Sequence, residues 1–187
     1  MKQKIVIVSL LIGLTLQFSS CKKSDDTISG PPPTYPNLLM NSSFESNDSA
    51  SWQGWSRTID DTALINLLTD TPTGGGRFSV KIETVWGPKL FISQVIAVPA
   101  GTHFYKLSSW AKVVDAGGNY SLAFKHLDTL TVRKSVTITD PAWALYSVLD
   151  TLTSVAGDSI VVTLFGGFSQ LSAGQTFYDV CKLEKLD

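Results

Sequence analysis

Cysteine is nearly missing from this chain, with only Cys21 and Cys181 among 187 residues. One pair cannot build a disulfide-stapled scaffold, so the folded part must rest on a buried apolar core. Histidine is equally sparse: His103 and His126 stand far apart, with no His-Glu-x-x-His or other ligand spacing around them. That leaves no motif for a zinc centre or a histidine base. Charged residues make up 17% of the chain, and 15 basic against 16 acidic residues give a net charge of −1. Nucleic-acid binders carry a clustered basic face, and nothing in this sequence suggests one. Neither a Gly-x-Ser-x-Gly elbow nor a glycine-rich phosphate loop ending in Lys-Ser or Lys-Thr occurs, which removes the commonest signatures of serine hydrolases and nucleotide-binding enzymes.

Long apolar runs are also scarce. The one at Ile5 to Phe18 follows Lys2 and Lys4 and is broken by Ser9, Gly13, Thr15 and Gln17. A membrane-spanning helix needs about 20 apolar residues, so this run reads as the h-region of a secretory signal over residues 1–20. The segment Phe18-Ser19-Ser20-Cys21 resembles the lipobox of bacterial lipoproteins, with Phe where Leu is usual. The resemblance implies cleavage before Cys21, lipidation of Cys21 and a multiply acylated anchor, since one acyl chain binds a bilayer only marginally. The pair Asp25-Asp26 resembles signals that send lipoproteins to the cell surface in some Gram-negative bacteria, so an outer-membrane or surface location is expected. Residues 22–36, charged and then rich in proline at Pro31-Pro32-Pro33, read as a tether that can hold a domain about 40 Å from the bilayer. A lipidated Cys21 cannot pair, which leaves Cys181 as a lone thiol. Alternation puts Cys181 on one strand face with Phe177 and Leu183, where a buried, inert role is expected.

From Asn37 onward the chain lacks helical periodicity. Short β-rich runs are separated by turn signals such as Gly74-Gly75-Gly76, Pro99-Ala100-Gly101, Gly117-Gly118-Asn119, Asp140-Pro141 and Gly157-Asp158. Strands are predicted at 38–45, 54–58, 63–68, 78–84, 90–98, 103–114, 120–127, 129–137, 144–152, 159–165 and 176–186. Regular strands at this spacing indicate an antiparallel β-sandwich or barrel filling residues 37–187 as one domain. Alternation is clearest over 103–114, where Tyr105, Leu107, Ala111 and Val113 share one face and Lys106, Ser108, Trp110 and Lys112 the other. Trp110 is therefore expected on the outer face, between lysines.

Five segments occur in a recognisable order: Asn37 to Glu45, Gly75 to Ile82, Ile92 to Gly101, Tyr105 to Lys112, and Tyr178-Asp179-Val180. Together with Trp143 and Tyr146 they resemble the jelly-roll carbohydrate-binding modules of families 4, 9 and 22 and the wider galactose-binding-like superfamily. The resemblance implies two antiparallel sheets in a jelly roll that binds polysaccharide or oligosaccharide without catalysis. It also implies a structural calcium near the chain ends, with Glu45 and Asp179 as the matching carboxylates. The family pattern often has two adjacent Asp in the last strand, whereas here Tyr178 precedes a single Asp179. Calcium wants six to eight oxygens, so backbone carbonyls around 75–78 would have to complete the shell, and a carboxylate hydrogen-bonded into the fold is the competing reading.

Sugars stack their apolar faces on aromatic rings while polar side chains fix the hydroxyls, and the chain has five Trp. Trp55 and Trp143 are expected in the core. Trp86, in a turn, and Trp110, on an outer face, are the leading stacking candidates, with Trp52 third. Gln94, Lys112 and Arg77 are the candidate hydroxyl partners, although Gln94 shares a face with Ile92 and Ile96, where a buried amide competes. Two other functions stay open. A structural or adhesion domain would present a continuous apolar patch around Trp110, and a hydrolase would need two converging carboxylates, for which Asp60, Asp61, Asp70, Glu83, Asp128 and Asp150 are the available residues.

Overall fold

Strong alternation and frequent turn residues produce a molecule made of strands. The computed structural model describes residues 33–58, 64–84, 90–115, 119–126, 129–166 and 174–187. The strands are β1 (Glu45–Ser46), β2 (Ser49–Ala50), β3 (Ser56–Arg57), β4 (Ile65–Leu68), β5 (Ser79–Thr84), β6 (Phe91–Ala97), β7 (Gly101–Val114), β8 (Asn119–His126), β9 (Thr129–Thr137), β10 (Ala144–Ser154), β11 (Ser159–Phe165) and β12 (Gly174–Lys185). No helix occurs among the described residues.

Two antiparallel five-stranded sheets hold most of the described residues, in the orders β10-β7-β12-β5-β4 and β3-β6-β11-β8-β9. Only β4–β5 and β8–β9 are sequence neighbours that pair within these sheets; from β5 to β8 and from β9 to β12 each connection crosses from one sheet to the other. This is a jelly-roll sandwich. Its core lies between the sheets and includes Ile65, Val80, Ile82, Ile92, Tyr105, Leu107, Ala111, Ile160, Val162, Leu164, Tyr178 and Leu183.

Three expectations are corrected. The predicted strand at 38–45 is mostly irregular, because Asn41 (φ 49°) and Phe44 (φ 58°) take left-handed backbone that a strand cannot hold. Asn37 instead clamps the segment to β12: its Oδ1 accepts from Leu183 N at 2.9 Å and its Nδ2 donates to Cys181 O at 3.0 Å. Next, Trp143 is outside the core cluster and half-buried, with its indole N–H donating to Asp70 Oδ1 at 3.2 Å.

The third correction concerns Phe177 and Cys181. In β12, Asp179 pairs with Trp110 but Lys182 pairs with Ser108, so three steps on β12 match two on β7. The extra residue reverses the faces. Phe177 pairs with Lys112 on the outer face, whereas Cys181 points inward, 3.2 Å from Ser109 Oγ. Cys181 is fully buried, and burial, ahead of the opposing Ser109 hydrogen bond and the nearby Asp179 charge, pushes its thiol up to about 12. A thiol held that high is unreactive at neutral pH.

Candidate functional site

The long strand β7 builds the outer face of the first sheet. Side chains alternate between faces, so burying Tyr105, Leu107, Ala111 and Val113 forces Phe104, Lys106, Ser108, Trp110 and Lys112 outward. Pairing aligns Trp110 with Leu145 of β10 and Asp179 of β12, Lys106 with Leu149 and Glu184, and Phe104 with Thr151. A hollow of about 260 Å³ opens there, lined by Lys106, Ser108, Trp110, Leu145, Val180, Lys182 and Glu184. Trp110 is half-buried in it, with polar groups on most sides. A second hollow of about 390 Å³ lies farther along the same strand pair, against Phe104, Tyr105, Lys134, Leu149, Asp150, Thr151 and Leu186.

At the other end of this face the side chains are engaged with one another. Lys112 Nζ bonds Asp70 Oδ2 at 2.6 Å and lies over the rings of Trp143 and Phe177, 5.2 and 4.9 Å from their centroids. Burial raises the Asp70 carboxyl, but hydrogen bonds from Lys112 and Trp143 together with the Lys112 charge outweigh it, and the net shift is downward. The ammonium of Lys112 is therefore held by the fold, about two residues along β7 from the Trp110 hollow.

The remaining candidates are scattered. Trp52 packs on the core edge, with the Arg57 guanidinium 4.8 Å from its ring centroid. Gln94 is 5% exposed; its Oε1 accepts from Met40 N at 2.7 Å and its Nε2 donates to Met40 O at 3.1 Å. Both ends of that amide pin the chain to β6. Arg77 is exposed and its backbone N–H donates to Glu45 Oε2 at 3.0 Å. Trp86 lies outside the described residues, as do Asp60, Asp61 and Asp128. His103 Nδ1 pairs with Asp187 Oδ2 at 2.8 Å.

Glu45 and Asp179 do come together. The third and second glycines of Gly74-Gly75-Gly76 pass so close that a Cβ on Gly76 would overlap the Glu45 carboxyl and one on Gly75 would press on Asp179 Oδ2. Asp179 is fully buried; its Oδ1 accepts from Val180 N at 2.7 Å, while Oδ2 has no hydrogen-bond partner. Burial is the main force on this group, and with the Glu45 charge it raises the carboxyl to about 7, against the Val180 hydrogen bond and the nearby Gly76 backbone N–H. Two acids converging around an unsatisfied oxygen fit a hard cation. Among the described residues no cluster of three or more His, Cys, Asp or Glu is placed to hold a metal, so side chains could supply only part of such a shell.

One aromatic feature went unpredicted. Phe91 and Phe165 lie opposite each other on β6 and β11, their ring centroids 5.5 Å apart and both half-buried, on the outer side of the second sheet. The alternation of β6 carries the signal: Ile92 and Gln94 face the core, so Phe91, Ser93 and Val95 face out.

No protein-family model matches this sequence, and neither does any curated protein. Solved structures do resemble it. One is a family 61 carbohydrate-binding module, TmCBM61, in complex with β-1,4-galactotriose: 19% identical, covering 80% of this chain and 99% of that one, with a TM-score of 0.56. This chain has the jelly-roll fold of carbohydrate-binding modules. A family 16 carbohydrate-binding module is 18% identical over 79% of this chain and 99% of its own, with a TM-score of 0.58. The CBM22-1 xylan-binding domain of Paenibacillus barcinonensis Xyn10C is 12% identical over 82% and 97%, with a TM-score of 0.56.

Proposed function

We propose that this protein binds glycan without cleaving it, presented at the outer membrane or cell surface by lipid on Cys21. The observation that supports binding most directly is the Trp110 hollow, where a half-buried indole sits among Lys106, Ser108, Lys182 and Glu184 on a fold that carbohydrate-binding modules share. A ring offers a sugar its apolar contact, and the surrounding ammonium, hydroxyl and carboxylate groups are suited to its hydroxyls. Trp86, Trp52 and Arg77 remain proposed as further contacts; Gln94 and Lys112 act by positioning, through Met40 and Asp70.

Cleavage would need two carboxylates about 5 to 10 Å apart in an open cleft. Glu45 and Asp179 converge, but beneath Gly75 and Gly76, and serve the fold instead. We propose that this pair holds calcium, with backbone oxygens completing the shell. The ion would supply the positive charge that lets both carboxylates stay ionised.

A glycan array probed with the full chain tests the reading, with galactan and xylan as first candidates because the fold neighbours bind galactotriose and xylan. Selective retention is expected; a flat array contradicts it. Incorporation of labelled palmitate that disappears in Cys21→Ser tests the anchor. A second reading, protein contact, draws on Leu145 and Leu149, which are 58% and 62% exposed beside the hollow.

A further inference from the structure

The two hollows share the strand pair β7–β10: β12 completes the first, while Lys134 of β9, in the second sheet, and the inward-facing Tyr105 and Asp150 complete the second at the edge of the sandwich. Trp110 and Phe104 are six residues apart on the same side of β7, about 20 Å at the usual rise per residue. Between and beside them stand Ser108 and Lys106 on β7, Lys182 and Glu184 on β12, and Leu145 and Leu149 on β10. Phe104 is 54% exposed, so its ring is open to a ligand. Tyr105 and Lys134 line the second hollow, and the buried Tyr105 hydroxyl has no hydrogen-bond partner.

The open charges along this track are mostly positive. Lys106, Lys182 and Lys134 make no ion pair with any described residue, whereas Asp150, the acid of the second hollow, is held by Arg133 Nε at 3.2 Å. Glu184 is the only carboxylate on the track's lining that is not so engaged. Three open ammonium groups against one carboxylate leave a positive strip on a chain whose net charge is −1. Unpaired cations set beside exposed rings match a ligand with sugar-like apolar faces and regular negative charge.

We infer that the Trp110 and Phe104 hollows are two subsites of one track for an extended acidic polysaccharide, bearing carboxylate or sulfate groups that meet Lys106, Lys182 and Lys134. This rests on the glycan-binding reading and specifies its ligand class. The track also explains why a single sugar would be held poorly: about 20 Å separates its two aromatic contacts, so only a chain of several units engages both.

Isothermal titration of the full chain tests it with three probe series of two to six units: oligogalacturonates, sulfated galactan fragments and neutral β-1,4-galactan fragments. The expected result is at least tenfold tighter binding of one acidic series over the neutral one at 50 mM salt, an advantage that shrinks at 500 mM. Carboxylate and sulfate are told apart by which acidic series wins. Affinity should climb with length until the chain spans both rings, and Phe104→Ala and Lys134→Gln should each flatten that climb. Neutral fragments binding as tightly as acidic ones overturn the inference. So does Trp110→Ala abolishing binding while Phe104→Ala and Lys134→Gln change nothing, a result that leaves glycan binding itself intact. If none of the series binds and Trp110→Ala alters no array signal, both readings fall.

Discussion

Strands β7 and β12 lie side by side inside the same sheet and are of similar length, yet they are built differently. β7 alternates without interruption over Gly101–Val114, and its outward residues form a ruler along the face that we assign to glycan. β12 is interrupted between Asp179 and Lys182. At the break Val180 takes φ 49°, left-handed backbone that a β-branched residue rarely adopts. The regular strand presents side chains at fixed intervals. The irregular one brings a buried carboxylate against Glu45, turns Cys181 inward and lends Val180 to the wall of the Trp110 hollow. Bulges commonly re-aim side chains beside functional sites, and this one aims Asp179 at the proposed cation position.

Substitutions in the two strands should behave differently. The largest effect is expected from Leu183→Ala. Leu183 pairs with Leu107 and both are fully buried, Leu183 because the extra residue turns it inward after Asp179. Leu183→Ala and Leu107→Ala should each cost about 2–5 kcal/mol in chemical denaturation. Lys182→Ala, one position away, should change stability by under about 0.5 kcal/mol. Equal effects at 182 and 183 would mean that the faces are not reversed as described.

Next in size is a pH effect at the break. The Asp179 carboxyl is raised in the folded state from 3.8 to about 7, so metal-free protein holds more protons folded than unfolded between those values. Stability from this group is full below pH 4 and is lost as pH rises through 7, by up to about 4 kcal/mol. Asp179→Asn should flatten that pH profile in thermal unfolding. Calcium should recover stability in the wild type above pH 7 and do nothing for the variant. A pH profile without a calcium response would leave a buried acid and no ion.

The backbone itself gives a smaller effect. Left-handed geometry costs a non-glycine residue about 1–2 kcal/mol, and glycine in a strand loses about 0.5–1 kcal/mol. Val180→Gly should therefore leave stability level or raise it by about 1 kcal/mol, whereas Ser108→Gly in the regular strand should lower it by a similar amount. Smallest is Lys112→Gln, which removes a partly exposed ion pair to Asp70 and should cost under about 1 kcal/mol, read as a Tm change of a few degrees.

The same contrast explains what was legible beforehand. The β7 pattern made the sandwich, the inward set and the outward Trp110 readable, because alternation is a local signal. Nothing local marked the bulge: a left-handed position usually advertises itself with glycine, and here it is Val180. Trp143 was misplaced because it resembles a packed family position beside a strand, while its ring folds over Lys112 and Phe177 from a loop. The segment 38–45 looked strand-like by composition, but Asn41 and Phe44 turn it. Gln94 was weighed as a buried amide and is one. Phe91 and Phe165 were passed over because each stands at a strand end, and only register brings them together.

We place the glycan on the outer face of the first sheet, at Trp110. Titrating the strongest array glycan into the full chain, into Trp110→Ala and into Phe91→Ala tests this placement most directly. At least a tenfold loss is expected for Trp110→Ala, and unchanged affinity for Phe91→Ala. Unchanged binding by Trp110→Ala, with loss in Phe91→Ala, would move the site to the opposite sheet and contradict this placement.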